Sequence, residues 1–324
     1  MTLLRREIGR RLAAYYAQSA ELVVGCLPPL ESVPLRSLWG EWHWKRTFRN
    51  MYRSQKGQWL TPVELFKPFY SNIVASFIAR SLENTTGSAE IVELGGGRGT
   101  NAHQILNYLH DYEPDIYSRV SYRIFDSSPS LLDLQRESLL ATIHAEKIEL
   151  IEVDLLAVAE GEAGFLDQAT TPTTVIALEL LDNLPHDKIR VRSGIVEQAC
   201  VKHAEDGCSL EYFEPLNDKL LKDVILTAPS YKRHSVGWVP TVACGVLKSL
   251  YSARPQASLL CADFDWLPAP DPTLQKSSPT HRSTWAVGEP LVTSMQDVDY
   301  ECYLNAPVLS DILFPTDFTK LAAF

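Results

Sequence analysis

No run in this sequence approaches the roughly 20 apolar residues of a membrane-spanning helix, so a span is excluded. No internal repeat is visible. Cysteine is sparse and scattered: Cys26, Cys200, Cys208, Cys244, Cys261 and Cys302 form no CxxC pair. No zinc or other metal site is therefore expected, and the thiols read as reduced core residues of an intracellular protein. Net positive charge is missing too. The chain carries −10, which argues against general nucleic-acid binding. Two further absences sit in one stretch, ELGGGRGT at 93–100. No lysine follows its glycines, which rules out a phosphate-binding P-loop. Position 100 is threonine, so the third glycine of a dinucleotide fingerprint counted from Gly95 is absent as well.

What is present is a composition typical of folded proteins, spread over 324 residues, enough for one large or two ordinary domains. Charge is uneven. Residues 1–60 hold ten Lys/Arg against four acids, leaving −16 for the remainder. The opening MTLLRREIGRRLAAYYAQSA is Arg-rich and amphipathic. It fits a short organelle-targeting helix or an ordinary first helix with a basic face, and Glu7 and the scarcity of serine favour the second. Residues 1–85 read as a mostly helical segment that contributes to a binding site, with an apolar face at Phe69, Ile73, Phe77 and Ile78.

From residue 86 strands and helices alternate. Strands are expected at 91–94, at 120–125 ending in Asp126, at 148–153 and at 173–178. Helices are expected at 101–112, with Ala102, Ile105, Leu106 and Leu109 on one face, and from Ser128-Pro129 to about 147. This rhythm predicts an α/β fold with a doubly wound, largely parallel, Rossmann-like sheet over 86–324. Its ligand belongs beyond the carboxyl ends of the strands. Paired strands around Ser193-Gly194, a helix at 242–251 and a strand in ASLLCADF follow. The Pro/Ser-rich stretch 266–281 is expected to be a mobile loop.

The spacing Gly95-x-Gly97-x-Gly99, with Glu93 inside the preceding strand, suits S-adenosylmethionine. That ligand has no pyrophosphate and does not need a helix N-terminus to neutralise it. It needs backbone without Cβ atoms where its body crosses the turn. Its ammonium and sulfonium favour a carboxylate such as Glu93. Asp126 is then placed for the ribose hydroxyls and Asp154 for the adenine amine. At the next strand end, Glu179 and Asp182 stand at i, i+3 spacing, on one face if the segment turns helical. They are the candidate catalytic acids. Plainer roles stand beside these: a helix cap for Asp182, a structural ion pair for Glu179, and a surface or capping role for His186 rather than a general base.

With TPVELFKPFY (61–70), ELGGGRGT, SPSLLDLQRESL (128–139) just after Asp126, and ALELLDNLPHDKI (177–189), residues 50–318 resemble the MidA-like family of S-adenosylmethionine-dependent methyltransferases. That family includes a mitochondrial complex I assembly factor that methylates protein arginine. The resemblance implies a class I methyltransferase fold with a helical N-terminal extension and a C-terminal insertion or extension. It places Thr61, Pro62 and Glu64 close to the cofactor, with Glu93, Gly95, Gly97, Gly99 and Asp126. It maps the family's Glu-x-x-Asp-x-Leu-Pro segment onto Glu179, Asp182, Leu184 and Pro185. The family's strand end and late segment correspond to Ala262–Asp265 and LFPTDF (313–318), after which family members continue further. It further implies a protein acceptor presenting arginine, in the mitochondrial matrix or otherwise the cytoplasm, and it allows a homodimer. Leu178, where the family carries a polar residue, and the short late segment keep open a cofactor-binding assembly factor with little catalysis; a small-molecule methyltransferase, which differs only in its acceptor pocket, is the other alternative.

Overall fold

The chain begins with a two-residue strand, β1 (Thr2–Leu3), that runs straight into helix Leu4–Tyr16. A computed structural model describes residues 2–25, 37–54, 60–204, 209–233, 235–267, 288–294 and 298–324. Residues 268–281 of the expected mobile loop lie outside them.

The apolar runs after residue 86 become β2 (Ala89–Leu94), β3 (Val120–Asp126), β4 (Ile148–Glu152) and β5 (Thr173–Leu178). An antiparallel group follows: β6 (Asp187–Arg192), β7 (Ile195–His203), β8 (Ser209–Pro215) and β9 (Val236–Val239). Helix Thr241–Ala253 then leads to β10 (Ser258–Ala262). The main sheet has the order β10-β5-β2-β3-β4 and every pairing in it is parallel. A parallel sheet is covered on both faces, so its central strand has no wet side. All six residues of β2 are buried accordingly. Ile91 faces a layer holding Val74, Ile78, Ile105 and Leu109. Val92 and Leu94 face another holding Val242, Val246 and Leu250. This is a Rossmann-like α/β fold, as expected, and the crevice of such a sheet lies where the order reverses, between β2 and β5.

The antiparallel sheet has the order β1-β7-β6-β9, with β8 on the other edge of β7. A three-stranded sheet, β12-β11-β13, is built from β11 (Leu291–Ser294), β12 (Val298–Tyr300) and β13 (Asp311–Leu313). The first helix joins these parts. Leu4, Ile8 and Leu12 are buried against Ala199, Val201, Trp238 and Phe314, and β1 pairs with β7. The opening segment is thus an integral helix, and its basic face is partly interior. Arg5 is 2% exposed. It donates to Glu160 at 2.8 Å, Asp187 at 2.9 Å and Asp218 at 2.8 Å. Buried Arg11 donates to Glu7 at 2.9 Å.

Two expectations need correction. Helix Phe69–Leu82 buries Val74, Ala75, Ile78 and Leu82, whereas Phe69, Ile73 and Phe77 are exposed. The segment carries two apolar stripes at helical spacing, and the one that meets helix Thr100–Tyr112 and the sheet is the one that includes Ile78. The helix starting at Pro129 stops at Leu139 rather than near 147. The amide and hydroxyl of Thr142 both fold back onto the Leu139 carbonyl, at 3.1 and 2.7 Å, and a separate turn forms at Ala145–Lys147. Cys200, Cys244, Cys261 and Cys302 are free thiols, the first two buried.

Candidate active site

β2 ends at Leu94 and the glycines reverse the chain beyond its carboxyl end. Gly95, Gly97 and Gly99 have φ of 72°, 53° and 81°, a region that β-carbon-bearing residues rarely adopt. Their surroundings separate their roles. A Cβ on Gly95 comes within 3.0 Å of Leu180, and one on Gly99 within 3.0 Å of Leu139. Gly96, which stands outside the alternate-glycine spacing, is tighter still, with a Cβ at 2.4 Å from Ile124. A Cβ on Gly97 meets nothing within 4 Å. It points into a cavity of about 850 Å³ lined by Gly95, Gly96 and Gly97 but not by Gly99. Gly99 instead stands at the start of helix Thr100–Tyr112.

Thr61, Pro62 and Glu64 line the same cavity. They belong to the short helix Pro62–Leu65, with Thr61 before it and Pro62 in its first turn. Buried Glu64 accepts from the Thr100 hydroxyl and from Lys67 Nζ at 3.0 Å, which fastens this segment to the glycine turn. Glu93 accepts from Asn101 Nδ2 at 2.7 Å and from the Tyr122 hydroxyl at 2.8 Å. Burial pushes its carboxyl up to about 7 despite these donors. The Asn101 Oδ1 beside it is buried with no hydrogen-bond partner among the described residues, and Asn101 lines the cavity. Asp126 accepts from the Ser128 amide at 3.0 Å and from Gln135 at 3.1 Å, and burial raises it to about 6. Asp154 is exposed on the cavity wall, where its carboxylate accepts from the Leu156 amide at 2.8 Å and caps helix Leu155–Glu160.

Beyond the carboxyl end of β5 three more carboxyls line the cavity. Glu179 follows β5 with φ of 50°, an uncommon conformation for a non-glycine residue, while its amide donates to Ala262 across the sheet at 2.8 Å. Burial and the neighbouring Asp263 push its carboxyl up to about 8. Asp182 sits in the turn Leu181–Asn183 and is 1% exposed. Burial, then Asp263, raise it well above the usual carboxylate range. The carboxylate of Asp263 accepts the Asp182 and Phe264 amides at 3.1 and 2.8 Å, which fixes the turn. A third carboxyl, absent from the sequence-based candidates, is Asp311 on β13. It is 2% exposed, lines the cavity, accepts from the Ile312 amide at 2.9 Å, and is raised by burial to about 7. His186 is not a surface residue, and it does not line the cavity. It is buried and stacked on Phe314 at 4.0 Å, its Nδ1 lies 2.9 Å from the Leu184 carbonyl, and burial lowers it to about 4.

The first helix forms a wall of this cavity through Gly9, Leu12, Ala13 and Tyr16. Gly9 is what lets the helix approach, since a Cβ there would stand 2.7 Å from Leu156. A glycine inside a helix costs about 1 kcal/mol against alanine, and that cost was the available sign of a close contact. The Tyr16 hydroxyl donates to Asn183 Oδ1, and Asn183 Nδ2 donates to Asp182 at 2.8 Å. The helix therefore reaches one of the candidate catalytic acids through a single intervening side chain.

The family model described as "putative S-adenosyl-L-methionine-dependent methyltransferase" matches residues 73–324. Among solved structures, a Burkholderia thailandensis protein crystallised with S-adenosyl-homocysteine is similar with a TM-score of 0.55 and 17% identity, over 81% of this chain and 61% of its own. A native structure of a protein of the same superfamily from that organism gives 0.54 and 17%, over 79% and 61%. These are likenesses of fold, and the chain spans about three-fifths of the length of either structure. No curated protein matches the chain.

Proposed function

The chain belongs to the family of S-adenosyl-L-methionine-dependent methyltransferases, and from that premise we propose that it methylates an arginine side chain of a protein, a subunit of mitochondrial respiratory complex I. The observation that carries the reading is the convergence of Glu179, Asp182 and Asp311 on the cavity that the glycine turn opens. The mitochondrial matrix and the complex I subunit rest on the MidA-like resemblance alone, and organelle fractionation of the source cells tests the first.

The cavity suits the cofactor on two counts. Gly97 leaves open the space a side chain would fill, and Asn101 Oδ1 is an acceptor still to be matched. Bound there, S-adenosylmethionine supplies an electrophilic methyl group on a sulfonium. In this reading Asn101, held by Glu93, accepts from the ammonium. Asp126 accepts from the ribose hydroxyls and Asp154 from the adenine amine. Thr61, Pro62 and Glu64 form the facing wall, and Gly95 and Gly99 shape the turn. Glu179 and Asp182 take the guanidinium by charge-assisted hydrogen bonds, with Asp311 as a third contact. They turn one nitrogen towards the methyl, and Glu179 receives the proton that nitrogen loses.

Labelled-methyl transfer to a lysate, followed by location of the label, tests this function. Label on arginine is expected. Label confined to metabolites points to a small-molecule acceptor, and binding without transfer points to an assembly factor. On the true acceptor, Glu179→Gln should leave cofactor affinity nearly intact and lower the single-turnover rate. Asp126→Ala should mainly weaken cofactor affinity, by roughly ten- to a hundredfold. A Glu179→Gln protein of wild-type rate removes Glu179 from the mechanism.

The acids also set a pH dependence. With carboxyls raised to about 8 at Glu179 and about 7 at Asp311, the empty site is largely protonated below neutrality. A guanidinium pairs with the deprotonated form. Acceptor affinity should therefore rise between about pH 6 and about pH 9, and binding should release protons. Calorimetry in buffers of different ionisation heat measures that release. Affinity independent of pH would exclude charge pairing by these groups.

A further inference from the structure

Helix Glu41–Ser54 presents two different sides. Its inner side is apolar: Trp44 lies 5.1 Å from Phe48 and stacks on Phe66 at 5.8 Å, beside Leu60 and Leu65. Its outer side is cationic and aromatic. Trp42 is 68% exposed, and Trp39, just before the helix, is 89% exposed. The Arg46 guanidinium lies 5.6 Å over the Trp42 ring. The side chain of Lys45 is exposed too, near Glu41 at 2.6 Å. Helical spacing puts positions 42, 45 and 46 on one side, so the tryptophan there stands beside Lys45 and Arg46. Residues beyond 60 carry −16.

We propose that this helix docks the protein on an anionic membrane surface, its cations pairing with phospholipid phosphates while Trp39 and Trp42 enter the headgroup layer. Indole has an apolar body and a polar N–H, and it is favoured at that depth. Cations interleaved with tryptophan on one face give a helix that lies in the interface without spanning it. The charge distribution favours a membrane over a nucleic acid. A bilayer touches only the stripe, whereas a long polyanion would also run along the acidic remainder. The inner side of the helix packs against Leu60, which lines the cavity with Thr61, Pro62 and Glu64, so docking holds that wall of the site beside the bilayer. The inference stands whichever acceptor the enzyme uses.

The test is co-sedimentation of the full chain with vesicles. Binding to phosphatidylcholine containing about one-third phosphatidylglycerol should exceed binding to phosphatidylcholine alone at least tenfold, and should fall as salt rises. Each cation near such a surface is worth about fivefold in partitioning, so Lys45→Ala with Arg46→Ala should lower it roughly 20- to 30-fold. Trp39→Ala with Trp42→Ala should lower it several-fold without removing the salt dependence. Melting temperature and S-adenosylhomocysteine affinity, unchanged in both variants, show that the fold is intact. The proposal is overturned by equal binding to both vesicle types, by undiminished binding of a folded Lys45/Arg46 variant, or by an RNA homopolymer that displaces the protein from anionic vesicles through the same residues.

Discussion

Gly97→Val should bind S-adenosylhomocysteine at least 100-fold more weakly than the parent protein, about 2.7 kcal/mol, while remaining folded. Nothing within 4 Å opposes a Cβ at this position, so the protein itself does not resist the added carbon. What a branched side chain enters is the cavity floor, the space assigned to the cofactor. The φ of 53° adds strain of roughly 1–3 kcal/mol for a β-branched residue, so a modest fall in melting temperature accompanies the loss. Gly96→Ala makes the contrast. Its Cβ meets Ile124 at 2.4 Å, so it should disturb the turn and the sheet and lower stability first. Calorimetry with circular dichroism on the two variants separates these effects. A folded Gly97→Val protein of unchanged affinity would mean that the cofactor lies elsewhere.

The second large effect is expected far from the chemistry. Arg5→Ala should lower stability by about 3–5 kcal/mol, the usual result of stripping one partner from a buried ion network. Asp187 is 2% exposed, and burial already raises its carboxyl against the pull of Arg5. Without the guanidinium Asp187 keeps its hydrogen bond from Thr241, and Glu160 loses one of its two arginine partners, leaving Arg6 at 2.7 Å. A fall in Tm of roughly 10 °C is the readout. Adding Asp187→Asn should restore part of it, because the orphaned charge is then removed. An Arg5→Ala protein that melts with the parent would show the network to be ornamental.

The parallel sheet was legible because its strands are short, apolar and bounded by turn residues, and because the glycines and Ser128-Pro129 mark the connections. The cavity-lining acids Glu93, Asp126, Asp154, Glu179 and Asp182 were legible for a related reason: strand ends are fixed by the strand pattern, and ligands sit at strand ends. Asp311 was not, since β13 is three residues long and enters the site from a separate sheet. The first helix was legible as a helix but not as a wall of the cavity, because partners such as Glu160 and Phe314 lie more than 150 residues away in sequence. In helix Phe69–Leu82 periodicity offered two stripes, and only tertiary packing chose between them. His186 failed differently. It sits between Pro185 and Asp187, just before β6, and only the fold lays it against Phe314.

The first helix also fixes an order of events during synthesis. Its apolar face is made well before Ala199, Trp238 and Phe314, which cover it. At about 5–20 residues per second, Leu4, Ile8 and Leu12 wait tens of seconds for the last of these partners. In that interval the face is a natural grip for a chaperone. A nascent chain that already carries the complete glycine turn still lacks one wall of its pocket. Competence to hold the cofactor therefore arrives late, when β13 and Phe314 close over the first helix.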